Sequence, residues 1–166
     1  SALDKGHTRA DILRVLELMQ KVGVPLRPSL LPFTPWTKFD DYLELLALIR
    51  EKDLVDHIDP VQYSLRLLIP PSSALLEKYP SAPWLGELDA AGFSYNWVHP
   101  DARMVELCKQ VRARVENAET QGEPARTTFG AIEELVSRIR GVSPPYPRIV
   151  PQRRPIPAGL TESWFC

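Results

Sequence analysis

The sequence predicts an α/β fold: a partial (β/α) barrel fragment with two or three parallel strands, then a mostly helical region and an extended proline-rich tail. Three observations carry this expectation. Through residue 70 the patterned segments run helix, strand, helix, strand with connections of a few residues, the order of parallel α/β units. Residues 61–69 alternate, with Val61, Tyr63, Leu65, Leu67 and Ile69 on one side and Gln62, Ser64 and Arg66 on the other. Prolines are concentrated near the carboxyl end, at 144, 145, 147, 151, 155 and 157, where they favour extended polyproline-like chain.

Thr8-Arg9-Ala10-Asp11 has the spacing of an N-cap with an acidic N3 residue, and Ile12, Val15, Leu16, Met19 and Val22 then recur at helical spacing until Gly23. Residues 24–33 read as a strand, although Pro25, Pro28 and Pro32 remove backbone donors and restrict it to an edge. Thr37-Lys38-Phe39-Asp40 repeats the capping pattern before a helix carrying Tyr42, Leu43, Leu45, Leu46 and Ile49. Asp53 to Asp59 is a polar connection to the second strand, 60–70. Residues 72–98 are less regular, with a short helical stretch at Ser73–Lys78 and an aromatic-rich segment containing Trp84, Phe93, Tyr95 and Trp97. A helix follows from about Ala102 to Glu119, with Met104, Leu107, Val111 and Val115 on one stripe, and another from Thr127 or Thr128 to Arg140. These boundaries suggest three regions: 1–71 the carboxyl-terminal portion of a barrel, 72–141 a helical extension, and 142–166 the proline-rich tail.

Composition narrows the function. The 166 residues are 44% hydrophobic and 25% charged with a formal net charge of −1, as in ordinary globular domains. Lys and Arg are scattered, so there is no electrostatic reason to expect nucleic acid as a partner. No run of roughly 18 apolar residues marks a membrane span, and Ser1-Ala2-Leu3-Asp4-Lys5 lacks the order of a signal peptide, so the cytoplasm is the expected location. The open strand edges of a partial barrel predict pairing into a homo-oligomer. The two cysteines, Cys108 and Cys166, are too few for a zinc ribbon.

Among candidate site residues, Gln62, Ser64 and Arg66 would face the barrel lumen, where an arginine needs a carboxylate, a phosphate or a ligand. A structural ion pair is the competing role for Arg66. Thr34 and Trp36 lie in Pro32-Phe33-Thr34-Pro35-Trp36-Thr37, the strand-to-helix turn at which α/β barrels place substrate-rim residues; a rigid turn with Trp36 packed on the core is the alternative. Asp53, Asp56, His57 and Asp59 have the side chains of a divalent-metal site or of a solvated loop. His7 and His99 fit either a base or a structural hydrogen-bonding role, and Cys108 reads as a small buried hydrophobe.

Leu3-Asp4-Lys5-Gly6-His7-Thr8, Pro32–Thr37, Asp59–Pro70 and Leu160-Thr161-Glu162-Ser163-Trp164-Phe165-Cys166 together resemble the carboxyl-terminal portion of a radical S-adenosylmethionine (radical SAM) protein. The likeness is to the subfamily whose tail carries Cys followed by Cys or selenocysteine and then Ala-Glu-Pro, and it extends over nearly the whole chain. It implies that 24–33 and 60–70 are the fifth and sixth strands of a partial barrel. In the full protein it implies a [4Fe-4S] cluster held by a CxxxCxxC loop, S-adenosylmethionine chelated to the open iron, and hydrogen abstraction from a small-molecule substrate by a 5′-deoxyadenosyl radical. Gln62, Ser64 and Arg66 would then border the cofactor, and Cys166 would form a redox or metal-binding pair with a following Cys or selenocysteine. This sequence departs from the family in having no CxxxCxxC motif, so as it stands the chain is expected to be an inactive fragment without cofactor. A sequence stopping at Cys166 is also what a selenocysteine codon read as stop would give. The reading from another class is a non-catalytic α/β binding or scaffold module that docks a partner through its proline-rich tail.

Overall fold

The computed structural model describes residues 6–141. Its elements are α1 (Arg9–Lys21), α2 (Phe39–Glu51), the 3-10 turns Val55–His57 and Pro60–Ser64, α3 (Ala74–Lys78), β1 (Leu85–Asp89), β2 (Ser94–Trp97), α4 (Ala102–Thr120) and α5 (Ala125–Arg140). Helices make up 54% of it, and its one sheet is the antiparallel pair β1–β2. The expected parallel strands and barrel fragment are therefore corrected: among the described residues they are reduced to one isolated parallel bridge between Phe33 and Arg66. The open barrel edges that predicted pairing between copies are absent with them.

Local chemistry accounts for the correction. Between Gly23 and Phe33, prolines 25, 28 and 32 supply no N–H, so a regular ladder cannot form. In the second segment Pro60 occupies the first turn, and the Asp59 side chain accepts from the Val61 N–H at 3.2 Å. The Gln62 N–H bonds to the Asp59 carbonyl and the Ser64 hydroxyl to the Val61 carbonyl, each at 2.9 Å, closing a 3-10 turn. The expected two-faced alternation is lost there, because Val61, Gln62, Tyr63 and Ser64 are all buried.

The helical expectations fare better. Thr8 and Asp11 form the reciprocal capping box of α1. In α2 the box lies one residue later than expected: Asp41, not Asp40, accepts from the N-cap N–H of Lys38 at 2.8 Å. Ser73 caps α3, and α5 starts at Ala125 after Pro124. The two strands fall in the segment read only as aromatic-rich. They pair Leu85 with Trp97 and Asp89 with Ser94 across an irregularity, within which Gly86 sits close to the partner strand: an added Cβ would lie 3.2 Å from the Asn96 carbonyl oxygen.

One core joins the regions before and after residue 71. Tyr42 and Leu46 of α2, Val55 and Tyr63 of the turns, Leu107 and Val111 of α4, and Phe129 and Ile132 of α5 are buried in it. The Tyr42 hydroxyl donates to the Tyr63 carbonyl at 3.0 Å, fixing α2 against the 60–64 turn. No described helix is long and apolar enough to cross a membrane.

Candidate functional site

The Phe33–Arg66 bridge is the point from which the site is built. The Phe33 N–H donates to the Leu65 carbonyl at 3.2 Å, and the Leu67 N–H donates back to Phe33 at 2.8 Å. β2 lies along the other side of 66–69: the Tyr95 N–H bonds to the Ile69 carbonyl at 2.8 Å, and the Trp97 indole N–H to the Leu67 carbonyl at 2.7 Å. These contacts hold Trp97 beside Arg66, whose guanidinium carbon stands 4.2 Å from the ring centroid while Nη2 donates to the Trp97 carbonyl at 2.8 Å.

Gln62, Ser64 and Arg66 do not share a face. Gln62 is buried, its Oε1 accepting from the Leu30 N–H at 2.9 Å and the Ser29 hydroxyl at 3.4 Å. Ser64 is buried on its own turn. Ser64 and Arg66 both line one cavity; of the three, Arg66 alone also lines a smaller one. That cavity, of about 300 Å³, has Phe33, Trp97, Met104 and Cys108 in its walls together with the cations Arg66, Lys109 and Arg112. Burial pushes the Cys108 thiol above its usual pKa, against the smaller opposite pull of Arg66 and Arg112, so it is held as a neutral thiol rather than a nucleophilic thiolate.

The 34–37 turn lies next to this site. The Thr37 N–H bonds to the Thr34 carbonyl at 3.3 Å, and the two threonine hydroxyls are 2.8 Å apart. Trp36 packs with Tyr79 and Trp84, with ring centroids 5.4 Å from each. It also lines a second cavity of about 820 Å³ with Phe39, His99, Arg103 and Arg140. His99 joins the two regions: its Nδ1 accepts from the Asp101 N–H at 2.9 Å, which leaves Nε2–H to donate to the Thr37 carbonyl at 2.9 Å. This is a fixed structural histidine lining both cavities.

The acidic loop serves other ends. Asp53 and Asp56 both pair with Arg126, at 3.0 and 2.5 Å; His57 Nδ1 is 3.1 Å from the Leu26 carbonyl; Asp59 caps its turn. Asp53 and His57 are buried, which contradicts the solvated-loop alternative for those two. Among the described residues no group of three or more His, Cys, Asp or Glu side chains is arranged to hold a metal ion. Cys166 and the tail 142–166 lie outside the described residues.

A cluster held by three thiolates does not fit this chain, whose cysteines number two. Sequence reasoning singled out Arg66 but missed Lys109 and Arg112, which follow Cys108 at the polar edge of the α4 stripe. Charges on the exposed part of a helix carry no local signal that they will line a cavity with a distant tryptophan. Comparison of the chain with protein-family models, with curated proteins and with solved structures found no match.

Proposed function

We propose that the chain forms the carboxyl-terminal, cluster-free part of a radical SAM protein. In this reading a small-molecule substrate is held where two cavities adjoin at His99, one lined by Arg66 and the other by Trp36, with Thr34 buried behind that turn. The [4Fe-4S] cluster and the S-adenosylmethionine chelated to it belong to residues outside this chain, which has too few thiolates to bind the cluster. Gln62 supports the wall from behind, its Oε1 engaged by the chain itself, while Ser64, whose hydroxyl bonds to its own turn, lines the cavity that Arg66 shares with Asp89.

The observation that carries the reading is the junction of Phe33 with Arg66. The two motif segments that carry most of the resemblance, 32–37 and 59–70, meet there side by side, and the one charged residue of the second segment's 60–70 run reaches a cavity. The test is to express the chain together with any in-frame upstream sequence, reconstitute it anaerobically with iron and sulfide, reduce it and assay S-adenosylmethionine cleavage. The longer product is expected to contain CxxxCxxC and form 5′-deoxyadenosine, whereas the 166-residue chain alone forms none. A start codon directly before this segment, or no 5′-deoxyadenosine from the longer product, would overturn the reading and leave a non-catalytic binding module.

A further inference from the structure

The cavity between β2 and α4 differs from its neighbours in charge. The cavity beside Trp36 holds Lys38, Arg103 and Arg140 but also Asp40 and Asp101, and these two carboxylates pair with Arg140 and Arg103 at 3.7 and 2.7 Å. A third cavity, of about 460 Å³, shares Arg66 and Arg112 but includes Asp89, whose Oδ1 accepts from the N–H groups of Ala91 and Gly92 in the hairpin turn. The cavity holding Cys108 has Arg66, Lys109 and Arg112 and no carboxylate in its lining.

Its cations are available to a ligand. Among the described residues Lys109 has no ion-pair partner, and neither has Arg66, whose Nη2 is held by the Trp97 carbonyl. Arg112 pairs through Nε with Glu116 at 2.7 Å, with side chains 64% and 42% exposed. An exposed pair of that kind contributes only about 0.3–0.5 kcal/mol, so an incoming anion competes with it readily. The other walls are Phe33, Trp97, Val98, Met104 and Val105 with the structural His99 and the neutral Cys108 thiol, and Arg66 is stacked on the Trp97 ring. A volume near 300 Å³ is at the lower limit for a small-molecule site.

We propose that this cavity binds a small organic anion, its carboxylate or phosphate held by Lys109, Arg112 and Arg66 and its flat apolar part placed against Trp97, Met104 and Cys108. A free inorganic anion would leave the apolar walls unused, and a neutral aromatic would make no charge-assisted bond to the cations. The inference rests on charge and shape alone. It stands or falls independently of the radical chemistry, because its test involves neither cluster nor reduction.

The experiment uses the 166-residue chain and four probes: benzoate, phenyl phosphate, benzyl alcohol and inorganic phosphate. Binding is measured by calorimetry. Occupancy is located by protection of Cys108 from iodoacetamide at alkaline pH, where a fraction of its thiol is ionised, read peptide by peptide, with Cys166 as internal reference. Benzoate or phenyl phosphate is expected to bind and slow Cys108 alkylation selectively, and the preferred one tells a carboxylate ligand from a phosphate ligand. Lys109→Met and Arg112→Met, both at exposed positions of α4, should each weaken binding about tenfold, while Arg103→Met in the neighbouring cavity should not. Equal protection by benzyl alcohol would overturn the role of charge, and equal affinity for inorganic phosphate would overturn the apolar part. No protection of Cys108 by either aromatic anion above about 10 mM would overturn the site.

Discussion

Arg50 and Glu133 meet in a two-pronged ion pair that joins α2 to α5. Nε of Arg50 donates to Oε1 of Glu133 at 2.7 Å and Nη2 to Oε2, and the two side chains are only 14% and 2% exposed. The guanidinium also lies over the Phe129 ring, 5.7 Å from its centroid. Such a pair stabilises little relative to apolar residues of the same shape, but removing one member strands the other. Glu133→Gln should therefore destabilise the chain by about 3 kcal/mol in urea unfolding, and adding Arg50→Met should recover part of the loss. A loss below about 1 kcal/mol would place the pair with exposed ones.

Gln62 gives a test that separates support from ligand binding. Its amide oxygen is the acceptor for the Leu30 N–H, so Gln62→Leu removes the acceptor while keeping the volume. The expected cost is about 1–3 kcal/mol, the penalty for a donor left unpaired away from water. Unchanged stability would mean that the amide does not hold the 29–30 segment and is free for another role.

Asp101 reports on the entrance to α4. Two bonds from Arg103, first the side chain and then the backbone N–H, bring its carboxyl from the ordinary 3.8 down to about 2. A depressed carboxylate adds stability above its unfolded pKa and loses it as the pH falls through the folded one, so this contribution is complete above about pH 4 and gone below about pH 2. A carbon-13 NMR titration should place the Asp101 midpoint near 2. Arg103→Met should raise it only part of the way, because the backbone donor remains. A midpoint near 3.8 in the unmodified chain would show that the bonds do not persist in solution.

The helices were legible because their signals are local. Thr8 and Asp11 lie within one turn of each other, and Met104, Leu107, Val111 and Val115 mark a single stripe, all four buried. The 60–64 segment misled because over five residues a period of two and a tight turn bury overlapping positions. What decided it was Pro60 behind the Asp59 cap, a start signal that the alternation obscured. β1 was invisible for the opposite reason: Gly86 to Asp89 are exposed, and a surface ribbon has no buried face to impose alternation. At the candidate site Arg66 stood out because an arginine in an apolar run needs an explanation. Lys109 and Arg112 did not, since their significance comes from the cavity they share with Trp97, which only the packing of β2 beside 66–69 creates.

Two glycines of α5 should respond to alanine with opposite sign. Gly141 is the C-cap in the left-handed region, φ 74°, with its N–H bonded to the Arg138 carbonyl at 3.2 Å. An added Cβ would meet nothing within 4 Å, so the cost of Gly141→Ala is the backbone penalty alone, about 1 kcal/mol. Gly130 lies inside the same helix, where an added Cβ also meets nothing within 4 Å and no positive φ opposes a side chain. Gly130→Ala should instead stabilise by about 0.5–1 kcal/mol, because alanine has less freedom to lose on folding. Urea unfolding of the two variants side by side should give midpoints on either side of the parent chain. A lowered midpoint for Gly130→Ala would mean that the position is closer packed than its open surroundings indicate, and an unchanged one for Gly141→Ala that α5 ends before its cap.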